Sequence, residues 1–312
     1  MAGRAADSVP DRVRAACAAV AAAARSVEIN ESSIAAYAAG LPPLDEQPPL
    51  DPATHFVEGD RESRAAFVIC LDAINFGSGW WPAIRKRPGR SGYFTIAAGL
   101  TDRFRSAGSW SAAELTRLTA ADLATVTGQD QALPLMEQFA SSLRDVGGRV
   151  LADHGGRFEA VVEAAGGSAV ALAGLLAEWD AFADVSTYAG RPVPFYKRAQ
   201  IAAADLNRAG VAALRDEDRL TAFADNLVPH VLRLDGVLRL DPSLEARIDA
   251  GELLVHGSPE EVELRACAVH AIELLVAAAP LSAAQIDGIL WNRGRARRYK
   301  ATPRPRSRNT AY

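Results

Sequence analysis

Hydrophobic positions along this chain recur mostly at helical spacing. From Glu260 to Ala278 the sequence reads EEVELRACAVHAIELLVAA, with Val262, Cys267, Val269, Ile272 and Leu274 or Leu275 falling on one recurring face. The Ser258-Pro259-Glu260-Glu261 start supplies a cap, a first-turn proline and acidic residues against the helix dipole, so a helix is predicted here. Similar signals predict helices at roughly 10–26, 111–119, 131–146, 168–178, 196–208, 226–234 and 282–292. Strand-like sequence is scarce. YFTIA at 93–97 is the best candidate, followed by LLVH at 253–256. The expected fold class is all-α, mainly helical with minor β structure.

Proline- and glycine-rich breaks fall at 40–52, 77–92 and 153–158, and none has the length of an interdomain linker. No internal repeat is present. One globular domain over 1–312, or two packed helical lobes, is expected, ending in a basic tail at 299–312. Arg293, Arg295, Arg297 and Arg298 precede that tail, which on composition alone reads as a frayed, solvated terminus.

Composition narrows the class without naming it. With 49% hydrophobic and 23% charged residues in 312, the chain can bury a full core. A net charge of −4 gives no general attraction to a polyanion, so any nucleotide contact must be local. Cys17, Cys70 and Cys267 are odd in number and sit in apolar or Ala-rich sequence, which predicts buried thiols in a reducing compartment. AACAAVAAAAR runs directly into polar SVEINESS and reads as an amphipathic first helix rather than a signal peptide. No stretch approaches the ~18 apolar residues of a membrane span. A cytoplasmic protein is expected.

Several chemistries lack their motifs. There is no G-x-x-x-x-G-K-[ST] loop and no G-x-S-x-G elbow, and GSGWWP places Pro82 where a dinucleotide fingerprint needs its third glycine. The histidines at 55, 154, 230, 256 and 270 show no H-E-x-x-H or Cys pairing, so no metal and no cofactor are expected.

Three segments carry candidate chemistry. In FVICLDAINFGSGWWP, Asp72 and Asn75 are three apart, as on one helix face, and Phe76, Trp80 and Trp81 follow at a glycine-rich turn. Flat aromatics beside a carboxylate suit a nucleobase, with rings stacking and the carboxylate accepting N–H protons. A buried core helix with a satisfied Asp fits the same residues. In VPFYKRAQIAAADLNRAG, Lys197 is one of three lysines and stands at a helix start, flanked by Tyr196 and Arg198. Phosphate binding is a natural use of that position, and a helix-surface cation is the plain alternative. In LTAFADNLVPHVLRLDGVL, Asp225 is placed as a helix N-cap, a role that serves capping and catalysis equally.

Taken together, FVICLDAINF, FYKRAQI with ADL, LTAFADNLVPHVLR, GSPEEVELRACAVHAIELL, the ILWN segment near 290 and YKATPRPRSRNTAY resemble the queuosine salvage family, from about residue 55 to the terminus. That resemblance implies hydrolysis of the bond between queuine and the ribose of queuosine 5′-monophosphate. It also implies a helical fold similar to helix-hairpin-helix DNA glycosylases without their DNA-binding elements. FADNLVPHVLRLDG resembles the stretch carrying the catalytic Asp of those enzymes, which puts Asp225 on that Asp and Lys197 near a catalytic lysine. Substrate contacts are then expected from Asp72, Asn75, Phe76 and one of Trp80 or Trp81 on the base, and from Lys197, Tyr196, Arg304 and Arg306 on the phosphate, with Arg198, and Trp291 of the ILWN segment, also at the site. The expected partners are this small-molecule substrate and its product queuine, with no stable nucleic-acid complex and no membrane.

Two other readings share parts of this pattern. A nucleic-acid base glycosylase would use the same carboxylate but needs a basic groove and a flipping wedge, which a net acidic chain does not advertise. A non-catalytic queuine-binding protein would need the Asp72 and Trp80 segment alone.

Overall fold

In a computed structural model describing residues 8–43 and 49–312, the chain forms fifteen α-helices and two small antiparallel sheets among the described residues. The mainly helical class follows the hydrophobic periodicity. Part of the expected break at 40–52 lies outside the described residues. The chain folds into two compact units, and the boundary inside the Lys197–Arg208 helix falls after Lys197.

The first unit gathers residues 8–43, Asp184–Lys197 and Asp216–Arg308. The Pro259–Ala278 helix is its spine. Its buried residues include Val262, Leu264, Cys267, Val269, Ile272 and Leu275, which lie on more than one face. A helix apolar on more than one side is surrounded rather than laid on a surface, and helices Val9–Ala23, Glu31–Ala39, Leu227–Leu234 and Ala283–Arg293 pack around it. Ser258 caps it by accepting from the amide of Glu261 at 3.4 Å, as its sequence predicts. Val27–Ile29 pairs antiparallel with Leu238–Leu240, and Val185–Tyr188 with Arg191–Pro194. Leu253, expected in a strand, makes only an isolated bridge to Arg306.

The second unit comprises residues 49–183, Arg198–Arg215 and Asn309–Tyr312. Helix Pro134–His154 packs on Arg61–Ala73, Ala112–Leu115, Ala120–Thr127 and Phe158–Ala164. The predicted strand at 93–97 lies instead inside helix Gly92–Ala107. Ser91 caps this helix through the amide of Phe94, and Thr95, Ile96, Leu100 and Phe104 are buried along it. Tertiary packing here overrides the strand preference of Tyr, Phe, Thr and Ile. Gly92 opens the helix because the Trp81 ring lies against it; a Cβ there would come within 2.5 Å of the indole.

Cys17, Cys70 and Cys267 are all reduced and buried. Burial pushes the Cys267 thiol up to about 12, which makes it an inert core side chain. No single helix among the described residues is long and apolar enough to cross a membrane.

Candidate active site

The first unit holds Asp225 at the centre of a closely fixed segment. The helix at this point runs Leu227–Leu234, and its N-cap residue is Asn226, one later than the sequence predicts. Asp225 nonetheless does the capping: its Oδ1 accepts from the amides of Leu227 at 2.8 Å and Val228 at 2.9 Å. Both bonds fall on Oδ1, and Oδ2 has no hydrogen-bond partner among the described residues. The side chain is half-buried. Its neighbours are pinned too. Phe223 donates its amide to Asp287 Oδ1 at 3.0 Å, Ala224 accepts from Arg265 Nε at 3.0 Å, and Asn226 Nδ2 donates to the Pro305 carbonyl at 2.7 Å.

Asp287, on helix Ala283–Arg293, is a residue that sequence reasoning misses. It is 5% exposed, and burial holds its carboxyl well above the usual range, reinforced by Asp225 and opposed by the Phe223 amide and Lys197. A carboxyl raised in this way beside the half-buried Asp225 is a candidate proton or hydrogen-bond donor. An Asp inside the apolar run AAQIDGILW is the available signal, since such a group needs a partner.

Lys197 is the first residue of its helix, as predicted, but it is buried, at 6% exposed, rather than a surface cation. It lies close enough to lower the Asp287 carboxyl. Its backbone amide donates to Asp184 Oδ2 at 3.2 Å, so part of this helix start is already occupied by a carboxylate. Tyr196 is buried beneath the Arg12 guanidinium, 5.6 Å from its ring centroid.

The tail, which composition alone reads as a frayed terminus, is folded. His230 Nε2 donates to the Tyr299 carbonyl at 2.8 Å, and the Pro303 and Pro305 carbonyls accept from Arg233 and Asn226. These bonds lay residues 299–305 along the helix that Asp225 starts, which composition cannot reveal because the partners are backbone carbonyls. Arg304 is brought near Asp225 by this course. Burial and the neighbouring Arg306 hold its guanidinium below the usual range, and Asp225 opposes them. Trp291 is half-buried beneath Arg295, 5.6 Å from the ring centroid.

In the second unit, Asp72 is buried and accepts from Asn75 Nδ2 at 3.2 Å. The pair is not on one helix face, because helix Arg61–Ala73 ends before Asn75, which folds back from beyond the C-cap. Phe76 is buried with its ring edge-on to Phe139 at 5.1 Å, and Trp80 is 5% exposed. Trp81 is half-buried on Gly92. Arg198 is 1% exposed, its Nη1 donates to the carbonyls of Ala73 and Ala181, and it lies over the Phe76 ring at 5.1 Å. A guanidinium committed in this way braces the core. Among the described residues no three His, Cys, Asp or Glu side chains gather as a metal site.

A sequence model described as queuosine salvage protein matches residues 54–312. A Sphaerobacter thermophilus protein named queuosine 5′-phosphate N-glycosylase/hydrolase is 35% identical over 304 residues, covering 93% of this chain and 94% of its own. A Dictyostelium discoideum protein of the same name is 30% identical, with 80% of this chain and 79% of the relative covered. One from Mus musculus is 34% identical over a shorter span, 46% of this chain and 44% of its own.

Proposed function

The chain belongs to the queuosine salvage protein family, and on that premise we propose that it hydrolyses the N-glycosidic bond of queuosine 5′-monophosphate, releasing queuine for reuse in tRNA modification. Water supplies a hydroxyl to C1′ and a proton to the base, so the products are queuine and ribose 5-phosphate. The observation that carries this reading is the unequal carboxyl pair, Asp225 with Oδ1 fixed by two helix amides and Asp287 buried beside it.

Breaking the C1′–N bond builds positive charge on the sugar and negative charge on the base. Asp225 stabilises the sugar cation through its other oxygen, Oδ2, and either directs water to C1′ or adds to it first. Its amide bonds fix the carboxylate before substrate arrives, so little reorganisation is needed as charge develops. A 7-deazapurine has no N7 to protonate, so the leaving base must be helped at other edges. Asp287, whose carboxyl burial holds well above the usual range, is suited to donate a hydrogen bond to such an edge.

The 5′-phosphate is assigned to Lys197 and Arg304, with Arg306 in support. Arg304 stands near Asp225, and Lys197 near Asp287. Charge-assisted bonds to a phosphate that does not react supply binding energy that positions the sugar. A small nucleotide rather than a nucleic-acid strand is the substrate, and the cytoplasm, where tRNA is modified, is the proposed location. Incubation with queuosine 5′-monophosphate followed by chromatography tests the reading: free queuine should appear in step with loss of nucleotide. Binding without release would leave the chain a queuine-binding protein.

A further inference from the structure

Asp184 and Arg265 form an ion pair in the first unit, and each side chain is 1% exposed. Arg265 Nη1 and Nη2 donate to Asp184 Oδ1 and Oδ2 at 3.0 and 2.7 Å, a bidentate fork. Both partners also reach further. Arg265 Nε donates to the carbonyl of Ala224, the residue before Asp225. Asp184 Oδ2 accepts the amide of Lys197, and the Asp184 carbonyl accepts the amides of Phe195 and Tyr196 at 2.9 and 3.3 Å. The guanidinium lies over the Phe195 ring, 3.9 Å from its centroid.

The turn held this way is strained. Tyr196 has a φ of 48°, in the left-handed region that a bulky side chain seldom occupies. Such a conformation persists only when its surroundings over-determine it. Here two carbonyl bonds, a carboxylate and a stacked cation converge on residues 195–197. Tyr196 immediately precedes Lys197, so relaxing this φ would swing the first turn of the helix and the lysine with it.

We infer that the Asp184–Arg265 pair is a positioning device that sets Asp225 and Lys197 in register with each other. It holds one segment by the Ala224 carbonyl and the other by the Lys197 amide. Neither Asp184 nor Arg265 touches the reacting atoms. Burying a charge pair is a poor way to gain stability, because well-packed apolar residues commonly replace one at no loss. A fixed geometry between two chain segments far apart in sequence is what the forked pair adds. The inference rests on the roles proposed above for Asp225 and Lys197.

The test is a cycle of variants assayed on queuosine 5′-monophosphate. Asp184→Leu with Arg265→Met removes both charges together, leaving no buried charge unpaired. Arg265→Lys is the milder variant, keeping a cation but losing the fork and the Nε–H that reaches Ala224. Each should keep a cooperative melting transition and lose about 10²-fold in kcat, the scale of a small misplacement of catalytic groups. Asp225→Asn added to either should cost much less than it does in the unaltered chain, because the carboxylate is already out of place. A folded variant with kcat within twofold of the unaltered chain, or an undiminished effect of Asp225→Asn, overturns the inference and leaves the pair a core feature. If Asp225→Asn alone keeps full hydrolysis, the role of Asp225 fails first and this inference falls with it, a result distinct from failure of the pair alone.

Discussion

Asp287 and Asp225 are two carboxyls in electrostatic contact that the fold treats unequally. Asp287 is buried and gives one oxygen to the Phe223 amide, while Asp225 is half-buried and braced by the amides of Leu227 and Val228. The short segment that carries Asp225 thus also holds Asp287, through the amide of Phe223. This links the geometry of the acid to that of the carboxylate it accompanies.

The raised Asp287 pKa makes a prediction whose sign is fixed. A carboxyl whose native pKa is raised contributes stability that is full below its unfolded value near 3.8 and is lost as pH rises toward its native pKa. Asp287→Asn keeps a neutral side chain with an oxygen for the Phe223 amide. Relative to the unaltered chain it should melt higher at pH 7, with the advantage shrinking as pH falls toward 4. If Asp287 acts as a hydrogen-bond donor, kcat of the unaltered chain should fall as pH rises toward the native pKa of Asp287, and the variant should lose that fall. An unchanged melting difference across this range contradicts the assignment.

His230 should make the tail sensitive to acid. Burial lowers its imidazole to about 4 against an ordinary 6.5, opposed by the bond to the Tyr299 carbonyl. A depressed native pKa means stability that is full above about 6.5 and lost as pH falls toward 4. His230→Gln should flatten that part of the melting-temperature profile while lowering its plateau. Proteolysis near Tyr299 on acidification reports the same release of the tail. A profile identical in shape to that of the unaltered chain would remove His230 as the cause.

Phosphate recognition should appear as a substrate preference. The phosphorylated nucleoside should exceed free queuosine in kcat/KM, and Arg304→Gln should narrow the gap by weakening the phosphate contact, by roughly 10-fold to 100-fold for a charge-assisted bond of about 1.5–3 kcal/mol. Equal turnover of the two substrates by the unaltered chain would end the assignment of Lys197 and Arg304.

Periodicity and capping chemistry are strong guides to local structure in this chain and weak ones to environment. The Pro259–Ala278 helix is legible because cap, proline and apolar spacing agree at Ser258 and beyond. Residues 93–97 mislead because Tyr, Phe, Thr and Ile favour strands intrinsically, and only packing against neighbouring helices decides for a helix. Lys197 stands at a helix start, as its sequence predicts. Its burial depends on a tertiary setting that no local pattern reveals. The spacing of Asp72 and Asn75 suggests a shared helix face, but the helix stops at Ala73, and the contact is made by the chain folding back. Arg198 resembles a phosphate ligand by its place beside Lys197, yet one step around the helix turns it to the carbonyls of Ala73 and Ala181. Asp184, Arg265 and Asp287 escape a reading of the sequence because their importance lies in contacts across 41 to 81 positions or in burial.

The most direct measurement is single-turnover hydrolysis of queuosine 5′-monophosphate by Asp225→Asn beside the unaltered chain. Asn retains an oxygen for the Leu227 and Val228 amides, so the helix start and the melting temperature should hold, while the rate falls by about 10²–10⁴-fold. A folded Asp225→Asn protein that releases queuine at close to the normal rate would show that Asp225 is a helix cap and nothing more.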